Sequence, residues 1–219
     1  DLVSPITACF VAEYALILAD AADVSERAQR SIERIALFHD IGKIDGAISD
    51  IVGETTRLSP AERKAIMTHP AKGAAVLRPL AGFYPDLPEG VLSHHERWDG
   101  KGYPRKLSGE AIPLAARVVM IADTFDAITH ARSYSSARSI EAAVQIIADG
   151  RETQFDPDLT DLFLSPPVMD QIIDRIRDKH KPRLVGGKRR RGTAPRGLLD
   201  ITFRWRTGSP SQLKQDRQS

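Results

Sequence analysis

The sequence predicts an all-α fold, on three observations. Apolar residues recur at helical spacing, as in Ala28, Ile32, Ile35, Ala36 and His39. Strand-type alternation is weak throughout. Several segments open with helix-start signals, the strongest being Ser59-Pro60-Ala61-Glu62, which combines a Ser cap, Pro at the first helical position and Glu at the capping-box position.

The expected elements follow in order. A first helix covers about 4–21, through the apolar stretch Val11 to Ala19. A second runs from a Ser25 cap to His39. Residues 41–58 read as a polar connection. The helix opened at Ser59 reaches His69, where Pro70 bends or restarts it. A short helix is expected after Pro88, stopping near Gly100, and residues 99–112 form a Gly/Pro-containing loop. Pro113 opens a long helix through His130. Further helices fit 139–149, closed by Gly150, then 157–164 and 167–179. Residues 1–182 thus form one helical domain and 183–219 a basic tail with the composition of a disordered linker, containing Lys188-Arg189-Arg190-Arg191; Ile201 to Trp205 is a candidate strand start.

Composition narrows the function classes. The 219 residues are 42% hydrophobic and 27% charged, ordinary for a globular protein. The net charge of +2 is +8 on the tail and −6 on the remainder, so the basic excess sits entirely in the tail, as a solvated segment or as a contact for nucleic acid, anionic lipid or a partner. A single cysteine, Cys9, excludes an internal disulfide framework and fits a reducing compartment. No run of apolar residues is long enough to span a membrane and no signal peptide opens the chain, so a cytoplasmic location is expected.

Six histidines are present, and four are placed to face the core: His39 continues the apolar stripe of the second helix, His69 shares a face with Ala65 and Ile66, and His94 and His95 lie one turn beyond Val91 and Leu92. Asp40 follows His39, and Asp123 shares a face with Ala116, Val119 and Met120 in the long helix. A carboxylate among apolar neighbours is costly to bury unless it is paired or bound to a cation. Each residue has a plainer reading: Asp40 capping a turn before Gly42, Asp123 paired with Arg117 or with a nearby Lys, a histidine at a solvated helix end. Together, four imidazoles and two carboxylates on one small helical domain point to a metal site, and the absence of thiolate suits manganese, iron or catalytic zinc.

The same residues carry a family pattern. His39-Asp40-Ile41-Gly42-Lys43 resembles the signature of the HD superfamily of metal-dependent phosphohydrolases. The stretch from His94-His95-Glu96 to Gly102-Tyr103-Pro104 resembles the motif of its HD-GYP subgroup. His69-Pro70 with Gly73, Arg117 through Asp123 and Asp126, Arg132 with Tyr134, and Phe155-Asp156-Pro157 are also similar to that subgroup. The resemblance implies an HD-type helical bundle with an extended GYP loop. It implies two divalent metal ions, iron or manganese, and hydrolysis of cyclic di-GMP to the linear dinucleotide or on to GMP. Carried over by position, Asp40 bridges the metals. His39 and Asp123 complete one; His69, His94 and His95 hold the other. Asp40 and Lys43 are the catalytic candidates. Lys43, Gly102, Tyr103, Pro104 and Arg132 are the substrate-binding candidates. The resemblance also allows a diguanylate cyclase or another signalling protein as a partner through the GYP loop, and a homodimer.

Four positions depart from the subgroup. Thr7 stands where the first helix usually supplies a further histidine, and Val3 where some members have a Glu supporting a third metal. Ser135 and Glu54 replace lysines expected near the phosphates. These changes leave an alternative, a degenerate HD-GYP domain that binds a nucleotide or a partner protein without turnover. Asp126 is a candidate to orient a ligand imidazole, and Trp98 to pack the end of the fourth helix.

Overall fold

The computed structural model describes residues 5–46, 48, 58–129 and 140–178. All of these fall in the first of two units, Asp1–Leu184 and Val185–Ser219. The expected basic tail and strand start, and residues Val3, Glu54, His130, Arg132, Tyr134, Ser135, Arg138 and His180, lie outside the described residues.

Among the described residues the fold is helical: α1 Pro5–Ala21, α2 Glu26–Phe38, α3 Pro60–Ile66, α4 His69–Leu77, α5 Asp86–Ser93, α6 Leu114–Thr129, α7 Ile140–Asp149, α8 Pro157–Phe163 and α9 Pro166–Arg177, with short 3-10 turns at Ile41–Ile44, Arg78–Leu80 and Gly109–Ala111. Beta structure among them is limited to one bridge between Arg151 and Phe155. No helix among them is long and apolar enough to cross a membrane.

α1 is the central helix. It is apolar on most of its circumference, so it must be surrounded rather than laid on a surface. It packs against α2, α6, α8 and α9, with Val11, Tyr14, Ala15, Leu18 and Ala19 fully buried. The Tyr14 ring meets Phe125 of α6 edge-on at 5.6 Å, and Phe125 meets Phe163 of α8 at 5.4 Å. This aromatic chain ties the first, middle and late parts of the sequence into one core. α2 is amphipathic, buries Ile32, Ile35 and Ala36, and starts at Ser25, whose hydroxyl accepts from the Ala28 amide at 3.4 Å. The α3 capping box forms in both directions: Glu62 N–H donates to Ser59 Oγ at 3.2 Å, and Ser59 N–H to Glu62 Oε2 at 2.6 Å.

Two boundaries differ from expectation. The helix placed after Pro88 begins earlier, at Asp86, with Pro88 inside its first turn, and ends at Ser93 rather than near Gly100. Proline is tolerated there because first-turn amides have no intrahelical partner. The helix opened at Ser59 stops at Ile66 and a new one, α4, starts at His69, so Pro70 restarts rather than bends it.

Candidate metal centre

The predicted ligands sit at helix ends, and the helix ends explain how they point. His39 follows the last residue of α2, His94 follows the last residue of α5, and His69 lies just past α3 as the first residue of α4. The last carbonyls of a helix lack intrahelical donors. In all three cases the imidazole Nδ1 contacts the carbonyl three residues back: Ala36 at 2.7 Å, Ile66 at 2.7 Å and Val91 at 2.6 Å. A carbonyl only accepts, so Nδ1 carries the proton and donates. When neutral, such a ring presents a bare Nε2 lone pair on its other side, an arrangement typical of metal-ligating histidines.

The lone pairs of His69 and His94 converge with donor atoms of Asp40 and His95. One donor atom each from Asp40, His69, His94 and His95 lies within 4.8 Å of all the others. His69 Nε2 and His94 Nε2 are 3.2 Å apart, and His69 Nε2 is 3.3 Å from Asp40 Oδ1. Two lone pairs facing each other at that distance repel unless something positive lies between them. Donors around one ion, with metal–nitrogen bonds of about 2.1 Å, stand roughly 3–4 Å apart. The donor set therefore fits a divalent cation, with three imidazoles, a carboxylate and no thiolate.

His39, Asp40 and Asp123 form the adjoining half. His39 Nε2 is 3.4 Å from Asp40 Oδ2 and 3.6 Å from Asp123 Oδ1. Lys43 Nζ donates to Asp40 Oδ2 at 2.5 Å. Arg117, the alternative partner considered for Asp123, is engaged elsewhere: Nη1 with Asp156 at 2.5 Å and Nε with the Ile112 carbonyl at 3.0 Å.

The electrostatics divide along the same line. Burial pushes the His94 imidazole well below its usual range, reinforced by His95; burial with His69 holds His95 down to about 3. Both stay neutral and ligand-ready. Burial acts on His39 in the same sense, but Asp40 and Asp123 outweigh it and hold that ring up to about 10. Burial opposes ionisation of the two carboxylates, and His39 prevails, keeping both below the ordinary carboxylate range, with Lys43 assisting. Without a cation, a proton on His39 thus balances the paired acids.

Glycine contact assembles the centre. A Cβ on Gly42 would lie 2.0 Å from the His69 carbonyl oxygen and 2.6 Å from Gly73 N. The turn Ile41–Ile44 and α4 therefore touch backbone to backbone, which brings Asp40 to His69.

The loop after α5 covers the cluster. Tyr103 stacks on His95 with ring centroids 4.9 Å apart, and its amide donates to the His95 carbonyl at 3.2 Å. Gly102 is buried, with space for no side chain: a Cβ would stand 2.4 Å from Arg97 N. Pro104 follows through a cis peptide and is exposed. Glu96, to which sequence reasoning gave no role, is 2% exposed, and its carboxylate accepts from the Arg105 amide at 2.7 Å and the Leu107 amide at 3.0 Å. Arg97 grips Asp99 through two nitrogens at 3.1 and 2.9 Å. Asp99 accepts from the Lys101 amide at 3.0 Å. Trp98 and Asp99 amides donate to the Gln154 and Thr153 carbonyls. Trp98 lies under the Arg117 guanidinium of α6, which is 5.8 Å from its ring centroid, and stands five residues past the end of α5. Asp156 joins Arg117 to α8 by capping the Asp158 and Leu159 amides, a structural role for the Phe155-Asp156-Pro157 stretch. Asp126 is buried one turn beyond Asp123. Thr7 lies half-buried on α1.

Residues 5–159 match the sequence profile of a family described as HD domain. A cyclic di-GMP phosphodiesterase of Vibrio cholerae is 39% identical over 136 residues, covering 59% of this chain and 27% of that protein. A 3'3'-cGAMP-specific phosphodiesterase of the same species is 35% identical over 161 residues, covering 72% of this chain and 35% of that protein. The chain thus spans well under half the length of these curated relatives. Among solved structures, a Bdellovibrio bacteriovorus protein described as HDG"Y"P superposes with a TM-score of 0.60 at 16% identity, over 78% of this chain and 51% of that one, a likeness of fold.

Proposed function

The chain belongs to the HD domain family, and on that premise we propose that it is a metal-dependent phosphodiesterase that hydrolyses cyclic di-GMP. The observation that carries the reading is the convergence of bare imidazole nitrogens on Asp40, with His69 Nε2 and His94 Nε2 facing at 3.2 Å. Asp40, His69, His94 and His95 would hold one divalent ion, and His39, Asp40 and Asp123 a second, iron or manganese on the donor chemistry. Bound ions would polarise the phosphodiester and ease deprotonation of an attacking water.

The chain's own residues supply the rest. Asp40 turns one oxygen to each half of the centre. Lys43 puts a positive charge beside it, where a phosphoryl oxygen gaining charge would be stabilised. Tyr103, seated on His95, forms a wall against which a base or ribose can rest, and Gly102 permits that close approach. Burial raises the Tyr103 phenol, so it stays protonated and can donate. Arg132 is assigned to a substrate phosphate by the family pattern alone. The exposed loop tip at Pro104 and Lys106 is where a diguanylate cyclase or other signalling partner would dock.

The test is turnover by the full chain loaded with manganese or iron(II) under anaerobic conditions. Cyclic di-GMP should yield linear dinucleotide or GMP by chromatography, and Asp40→Ala should lose at least about a hundredfold in rate. 3'3'-cGAMP, run in parallel, separates the two substrates that name the relatives. Nucleotide binding without hydrolysis by the metal-loaded protein would replace the enzyme with a regulatory binding domain.

A further inference from the structure

The two halves of the centre are unequal, and Lys43 makes them so. On one side, a carboxylate oxygen of Asp40 and three imidazole nitrogens lie within 4.8 Å of one another, with His69 Nε2 3.3 Å from Asp40 Oδ1. On the other, the described residues provide His39, Asp123 and the second Asp40 oxygen, and that oxygen already receives the Lys43 ammonium at 2.5 Å. Lys43 cannot easily leave. It lies in the turn Ile41–Ile44, its amide bonds the Asp40 carbonyl at 2.9 Å, and its side chain is 12% exposed beside an Asp40 side chain that is 17% exposed. Water therefore screens the pair little, and a second cation at Oδ2 would meet a like charge at close range.

We infer that Lys43 and a second cation compete for the same oxygen of Asp40, so that the chain holds one ion firmly and admits another only as Lys43 is released. The released ammonium is then free for a substrate phosphate, which makes second-ion entry and substrate binding mutually favourable. The inference rests on the metal-centre reading above but not on turnover.

Metal counting tests it. The full chain, stripped by chelation and dialysed against graded free Mn2+ without nucleotide, is assayed by elemental analysis. Wild type should fill in two steps separated by about tenfold or more in free metal. Lys43→Met should draw the second step towards the first, leaving the first in place. Lys43→Gln provides a second neutral side chain should the methionine variant fold poorly, and Lys43→Arg should preserve the gap. Asp123→Asn should remove the second step alone. Simultaneous filling in wild type, or a second step unmoved in both neutral variants, overturns the inference. Two-step filling by a chain that hydrolyses no cyclic dinucleotide would instead remove the phosphodiesterase and leave the competition standing.

Discussion

The histidine cluster and the loop that covers it lie side by side and are held by different forces. The cluster is set by contact: helix ends fix the imidazoles of His39, His69 and His94, and Gly42 against Gly73 fixes the distance between Asp40 and His69. Apart from Gly102, packed on the Arg97 backbone, the loop is set by charge: Glu96 gathers two backbone amides, Arg97 and Asp99 clasp one another, and Arg105 reaches back to Glu89 and to Ser93. Steric devices fail abruptly when volume is added. Polar pins fail gradually, one hydrogen bond at a time, and respond to pH.

The sharpest break is Gly42→Ala. Its methyl carbon would meet backbone rather than a yielding side chain, so relief must come from separating the turn and α4. A cost of about 3 kcal/mol, the upper end for overpacking, is expected. Because the displaced partner is His69, metal retention should fall with stability. Thermal melting and metal content measured on one preparation check both. A variant that melts like wild type and holds its ions would show that the glycine contact does not set the site.

Glu96 should separate the two regions. Glu96→Ala leaves the Arg105 and Leu107 amides without their acceptor, at a cost of about 1–3 kcal/mol. Glu96→Gln keeps one acceptor oxygen and should cost less. Neither removes a donor from the cluster, so both should retain metal at wild-type stoichiometry while KM for cyclic di-GMP rises more than kcat falls, as Tyr103 loses its fixed seat on His95. Loss of metal in Glu96→Gln would mean that loop and cluster form one unit.

The part of the site that could be read in the sequence is the part that depends on spacing. The stripe ending at His39 and the apolar setting of Asp123 follow from helical periodicity, and the structure brings both to the site; His69 arrives as the first residue of α4 rather than on a helix face shared with Ile66. The device that aims them was hidden, because a histidine three residues past a carbonyl looks like any helix end until the backbone stops there. Glu96 was hidden for a related reason: its partners, the amides of Arg105 and Leu107, leave no side-chain signature. Arg117, weighed only as an alternative partner of Asp123, shows how distance in sequence hides a pair. Asp123 lies on its own helix, whereas its real partner, Asp156, is 39 positions away. The first-turn proline at Pro88 shifted a helix start because proline marks a first turn, not a first residue. Arg132, Ser135 and Glu54, which only the family pattern links to phosphate binding, fall outside the described residues.

The smallest effect expected is an acid one, and it belongs to the loop. Asp99 is held down to about 2, first by its hydrogen bonds to Arg97 and then, against burial, by the Lys101 amide. Its carboxyl in the unfolded chain titrates near the ordinary value of about 3.9. A depressed folded-state value means the unfolded chain takes up the proton first as pH falls. The clasp therefore contributes its full stability above about pH 4 and loses it progressively on acidification towards pH 2. Asp99→Asn removes the titrating group, so the midpoint difference between variant and wild type should be constant from pH 7 to about 5 and shrink below about 4. Because the clasp lies on the loop and not among the imidazoles, its loss should leave metal content unchanged at neutral pH. A stability difference that persists undiminished at pH 3 would mean that Asp99 acts through packing rather than charge, and the contrast between a sterically built cluster and a charge-pinned loop would lose its clearest support.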